Sequence, residues 1–199
     1  MRRGGATEDL LLGPNVKYIP EGKGRIVKRE QATRWSAKRG GLIPTEKGRP
    51  DYSGSWNGLA FEIEAKEVTS GTSFKFAGPH TRGAQTLMAQ IKDLEENARA
   101  GALSFFVVHF AVFKKGIREA YLWEIGKYLR DLNCPFLAYA FGIPGAGKPI
   151  SLQWFRDNAL RIYEKNGGLD WGTGIQRVIE AKAALAAQNG GLLAAGRLD

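Results

Sequence analysis

The run Leu103-Ser104-Phe105-Phe106-Val107-Val108-His109-Phe110-Ala111-Val112-Phe113 interrupts its apolar residues only at Ser104 and His109. A stretch of this length, rich in aromatic and β-branched residues and without polar alternation, has the pattern of a strand covered on both faces. Such a strand needs a sheet with helices above and below it, which confines the chain to the α/β or α+β classes. Within it, His109 is expected as a buried, hydrogen-bonded imidazole rather than a catalytic one.

The flanking patterns fill in that sheet. Asn57-Gly58 separates Tyr52-Ser53-Gly54-Ser55-Trp56 from Leu59-Ala60-Phe61-Glu62-Ile63-Glu64-Ala65-Lys66-Glu67-Val68. Both turn positions accept positive φ, so a two-strand hairpin is predicted. Residues 84–100 repeat apolar positions at Leu87, Met88, Ile91 and Leu94 and stop at Gly101, which predicts an amphipathic helix. Residues 119–125 read as a neighbour of the central strand, reached through Lys114-Lys115-Gly116. Upstream, residues 8–12 read as a short helix capped by Thr7, residues 24–35 as a strand with basic ends, and residues 36–50 as a loop able to protrude. Downstream, the pattern gives a helix around 126–132, an apolar segment at 136–141, a loop at 142–149, and helices near 151–165 and 174–188. The expected fold is α/β, with a central mixed β-sheet flanked by helices. At 199 residues one domain is expected, with a core over about 3–132 and a helical extension over about 150–190.

Charge is unevenly distributed. Of a net +9, residues 14–49 hold a surplus of seven, from ten Lys and Arg against Glu21, Glu30 and Glu46. Such clustering favours a polyanion, most commonly nucleic acid. The expected contacts are Arg3, Arg25, Lys28, Arg29, Arg34, Lys38, Arg39, Lys47 and Arg49. The lone Cys134 excludes an internal disulfide framework and a zinc knuckle, and fits a reducing compartment. No apolar run approaches the roughly 18–20 residues that span a bilayer. A soluble, non-exported protein without a membrane partner is therefore expected.

Chemistry concentrates in the hairpin. Strand alternation puts Glu62, Glu64 and Lys66 on one face and Phe61, Ile63 and Ala65 on the other. Asp51 precedes the first arm, so antiparallel pairing returns Glu64 and Lys66 to its side. Two carboxylates and a lysine are what metal-assisted phosphodiester hydrolysis needs: oxygen donors for a hard divalent cation, and a cation beside the developing charge. An exposed amphipathic strand with solvated charges is the alternative reading.

Pro50-Asp51 and Glu64-Ala65-Lys66 match the PD-(D/E)xK nuclease signature, and the surrounding chain resembles the RecU-type Holliday junction resolvases. Those enzymes are relatives in fold of the archaeal Hjc resolvases and of type II restriction enzymes. The resemblance rests on Arg3-Gly4-Gly5-Ala6-Thr7-Glu8, on Asp51-Tyr52-Ser53-Gly54 with Gly58, on Phe61-Glu62-Ile63-Glu64-Ala65-Lys66-Glu67, and on Phe74-Lys75-Phe76 leading to His80 and Gln85. It runs from Arg3 to about Glu124, with a weaker echo at 168–180. It implies a restriction-endonuclease-like core. Asp51 and Glu64 would be metal ligands joined by the Ala65 carbonyl, Glu8 a further acidic member, Lys66 the catalytic lysine, and Gln85 a support from the following helix. It further implies Mg²⁺ or Mn²⁺ and a homodimer that nicks opposing strands of a four-way DNA junction symmetrically. The compartment implied is the cytoplasm of a bacterium, or of a bacterial host if the chain is phage-encoded. Two features depart from the family: residues 35–49 are short and basic where RecU enzymes carry a long stalk, and Thr81-Arg82-Gly83-Ala84 separates His80 from Gln85. The alternatives are another PD-(D/E)xK nuclease of restriction or repair type, and a noncatalytic basic DNA-binding protein.

Other motifs carry less. Gly142-Ile143-Pro144-Gly145-Ala146-Gly147-Lys148 approaches a phosphate-binding loop, but Pro149 stands where the magnesium-binding hydroxyl belongs, so no nucleotide cofactor is expected. Trp123, Trp154 and Trp171 sit in apolar contexts and are expected in the core. Trp35 and Trp56, in polar or basic contexts, are the two to test for base stacking.

Overall fold

The computed structural model describes residues 24–28, 33–36, 41–44, 50–78, 80–128, 131, 133–165 and 167–195. The expected helix at 8–12, with Arg3 and Glu8, lies outside them, as do Arg29, Lys38, Arg39, Lys47 and Arg49.

The elements in chain order are β1 (Gly24–Lys28), β2 (Thr33–Ser36), β3 (Gly41–Pro44), β4 (Tyr52–Trp56), β5 (Leu59–Val68), β6 (Ser73–Phe74), α1 (Arg82–Arg99), β7 (Leu103–Val112), β8 (Ile117–Glu124), α2 (Pro135–Ala140), β9 (Ile150–Ser151), α3 (Leu152–Asn158), β10 (Leu160–Ile162), β11 (Glu164–Lys165), β12 (Gly168–Leu169) and α4 (Trp171–Ala195). A six-stranded sheet of order β1-β4-β5-β7-β8-β10 forms the centre. Its β5 and β7 run parallel, from Phe61↔Leu103 to Val68↔Phe110, and the pairs around them are antiparallel. This is the α/β arrangement of a mixed sheet flanked by helices that the patterning predicts.

All ten residues of β7 are buried. Phe106, Val108 and Phe110 face one core with Leu87, Ile91 and Leu94 of α1 and Phe136 of α2. Phe105 and Val107 face the other, with Phe61, Ile63, Trp171 and Ile175. The parallel β5–β7 pair requires a crossover, and α1 supplies it, laid over the face that carries the even-numbered residues of β5. Thr81 caps α1 by accepting the Ala84 N–H at 3.1 Å.

Several expectations are corrected. The strand predicted over 24–35 is split: β1 joins the central sheet, whereas β2 pairs with β3, inside the segment read as a loop, from Thr33↔Pro44 to Ser36↔Gly41. Gly40-Gly41 punctuates a short hairpin there, and four-residue arms are too brief to register as periodicity. In place of a helix around 126–132 there is a single 3₁₀ turn, Ile125–Tyr128. The stretch read as two helices around 151–165 contains the sixth strand, β10, so the C-terminal part of the chain enters the central sheet. Trp56 is 6% exposed, meets Trp171 edge-on at 5.8 Å and donates its indole N–H to Gln176 Oε1 at 2.9 Å, which removes it from base stacking. Among the described residues no helix is long and apolar enough to cross a membrane.

Candidate active site

The site is built by the hairpin. Asn57 and Gly58 take φ of 49° and 79°, the pair of left-handed conformations of a type I′ turn, whose twist matches that of its flanking strands. The resulting register sets Tyr52 opposite Ile63, so Asp51 arrives beside Glu64 and Ala65. Asp51 Oδ2 accepts the Ala65 N–H at 3.1 Å. A side-chain bond thus continues the pairing one residue past the end of β4.

Even-numbered residues of β5 lie under α1. Glu64 is fully buried, and Glu62 is 8% exposed; the reading of an exposed strand with solvated charges is excluded. Glu62 accepts a hydrogen bond from Asn97 Nδ2, which ties the end of α1 to β5. Glu64 forms an ion pair with Lys66 through Oε1, while its Oε2 is buried without a hydrogen-bond partner among the described residues. Burial pushes the Glu64 carboxyl up to about 8; Lys66 pulls the other way, and the neighbouring Asp51 charge adds to the rise. Lys66 keeps about a third of its side chain in solvent and donates to Gln90 Oε1 at 3.3 Å.

Gln90 is the site residue that sequence reasoning missed. It is buried, on α1, among Leu87, Ile91 and Leu94. A glutamine inside the apolar stripe of an amphipathic helix was the available signal. Gln85, expected in this supporting role, is exposed in the first turn of α1. Five residues separate the two, a rotation of about 140° about the helix axis, which turns Gln85 off the face presented to β5.

The structure thus brings together Asp51, Glu64, Ala65 and Lys66, joins Gln90 to them, and leaves Gln85 outside. Arg25 and Lys28 lie on β1 and Arg34 on β2. His109 is buried as expected, its imidazole held below its usual range by desolvation, with Arg118 adding to the effect and Glu164 opposing it. Among the described residues no cluster of three or more His, Cys, Asp or Glu could hold a metal. The donors at this place are two carboxylates and backbone carbonyls. They nonetheless fit a hard divalent ion: all are oxygens, and the buried, unsatisfied Glu64 Oε2 is stabilised as a carboxylate by a cation.

No family model matches the chain. A curated relative, the Holliday junction resolvase RecU of Pediococcus pentosaceus, is 22% identical over 189 residues, covering 90% of this chain and 85% of the relative. Among solved structures, the Hjc Holliday junction resolvase of Archaeoglobus fulgidus aligns with a TM-score of 0.43 and 14% identity, over 79% of this chain and 94% of its own. Along nine-tenths of its length, then, the chain is similar to a RecU-type Holliday junction resolvase.

Proposed function

We propose that the chain is a divalent-metal-dependent endonuclease that resolves four-way DNA junctions, acting as a homodimer that nicks opposing strands. The observation that carries this reading is the fully buried Glu64, unsatisfied at Oε2 and placed beside Asp51 and Lys66. Burying a carboxylate without compensation is costly, and a bound cation is the compensation that the donor set accepts.

Asp51, Glu64 and the Ala65 carbonyl would hold Mg²⁺ or Mn²⁺, with Glu8 as a further acidic donor. When bound, the ion supplies Lewis-acid polarisation of the phosphate and a water of lowered pKa. The residues of the chain do the rest. Asp51, fixed through the Ala65 N–H, orients its second oxygen. Glu64 keeps one oxygen on Lys66 and one for the ion. Lys66, restrained by Glu64 and Gln90, holds its ammonium where negative charge develops on the phosphate. The basic segment at 14–49 supplies phosphate contacts that read shape rather than sequence, and the likeness to RecU makes a branched duplex the preferred substrate.

The test is cleavage of four-way junction, fork and linear duplex with Mg²⁺ or Mn²⁺, by wild type, Asp51→Asn and Lys66→Ala. Paired nicks in the junction, lost by about 10²-fold or more in each variant, are expected. Equal cutting of linear duplex would replace junction resolution with a general nuclease. Unchanged cleavage in both variants would remove the site, and binding without cleavage in any metal would leave a DNA-binding protein.

A further inference from the structure

A cleft of about 560 Å³ opens beside Lys66, between the end of β5, the segment around β6 and the first turns of α1. That volume lies within the roughly 300–1,000 Å³ of ligand-sized pockets. Gln90 and Lys66 line it on the side of the candidate active site, Phe74 forms part of its apolar wall, and Lys75 and Arg82 stand on the other side. Both of these cations are exposed, and neither makes an ion pair among the described residues. Glu67 is the acidic residue in the lining, so with Lys66 the cleft carries a net positive charge. Arg82 opens α1, where the helix dipole favours acidic residues and where none is present. Nothing in local helix energetics accounts for an arginine there. A polyanion passing through the cleft does.

We infer that this cleft seats a phosphate of the strand being cut, adjacent to the scissile phosphate, with Lys75 and Arg82 as its contacts. The inference rests on the nuclease reading and deepens it. It assigns substrate contacts outside the basic segment at 14–49 and contiguous with the reacting centre. Two flexible cations against an apolar wall recognise charge and carry no base-reading geometry, so the contact serves junction and linear duplex alike.

The experiment measures binding of junction and linear duplex over a series of salt concentrations, in chelator so that cleavage plays no part. It compares wild type, the double variant Lys75→Ala/Arg82→Ala, and Lys148→Ala as an exposed-lysine control. For two lost phosphate contacts, the double variant is expected to bind both DNAs about ten-fold or more weakly, and the slope of log affinity against log salt to fall by about two. The control keeps the wild-type slope. Both replaced side chains are exposed, so an unchanged unfolding midpoint shows that the fold is intact. A neutral methylphosphonate next to the cut then slows wild type but leaves the double variant's rate unchanged. A wild-type slope in the double variant, or a methylphosphonate penalty equal in both proteins, overturns the inference while leaving the nuclease reading standing. Failure of wild type to bind any DNA overturns both.

Discussion

Gln90 accepts a hydrogen bond from Lys66 at 3.3 Å, reaching from the buried stripe of α1 to the strand that carries the candidate catalytic lysine. Replacing it with leucine keeps the stripe apolar but frees the ammonium to swing towards solvent. Cleavage is expected to fall about ten-fold in kcat with KM little changed, in line with about 1.5–3 kcal/mol for a hydrogen bond to a charged group. Gln90→Glu supplies a charged acceptor and is expected to retain more of the rate. A KM effect without a kcat effect would instead assign Gln90 to DNA binding.

Glu64→Gln is expected to abolish cleavage while stabilising the metal-free protein. The folded-state carboxyl sits at about 8, above its ordinary 4.5, so the native state binds the proton more readily than the unfolded state does. Stability from this group is therefore full below about pH 4.5 and lost as pH rises through 8. In chelator, the gain of the variant over wild type is expected to be small near pH 5 and to reach about 2–4 kcal/mol by pH 8.5. Urea titrations at those two pH values measure it. A gain that shrinks with rising pH contradicts the assignment.

His109 gives the opposite sign. Its imidazole is held below the usual 6.5 by burial, so the unfolded state binds the proton first and stability falls as pH drops below about 6.5. Thermal unfolding between pH 7 and pH 5 is expected to show a steeper loss for wild type than for His109→Gln.

Gly58 has φ +79° with open space around its α-carbon. Gly58→Ala thus tests conformation alone. A cost of about 1 kcal/mol is expected, seen as a fall of a few degrees in Tm. If the turn sets Asp51 beside Ala65, cleavage falls further than the remaining folded fraction explains.

What the sequence discloses follows from period and length. β7 and the β4–β5 hairpin were legible because ten apolar residues in one run and an Asn-Gly turn are strong local signals. So was the shared face of Glu62, Glu64 and Lys66. What covers that face was not, because the burial of Glu64 depends on α1 crossing over β5, a tertiary event to which a period-two pattern is blind. β10, at three residues, is shorter than any window in which alternation can be recognised, and β2 with β3 fails for the same reason. Gln90 was hidden because a polar residue among apolar ones reads as an interruption of the stripe until its partner is known.

The type I′ turn has a kinetic consequence. Asp51, Glu64 and Lys66 fall within sixteen consecutive residues closed by two turn residues, and hairpins of this kind form in about 1–10 μs. The parallel β5–β7 pairing joins residues some forty positions apart and has to wait for loop closure and for α1. The chain therefore assembles its oxygen donors while they are still in water, where a carboxylate is at ease. It meets the cost of enclosing Glu64 only in the later step. A divalent ion captured by the nascent hairpin would remove that cost before it arose, so refolding in the presence of the metal is expected to run faster than in chelator, and not merely to a more stable end.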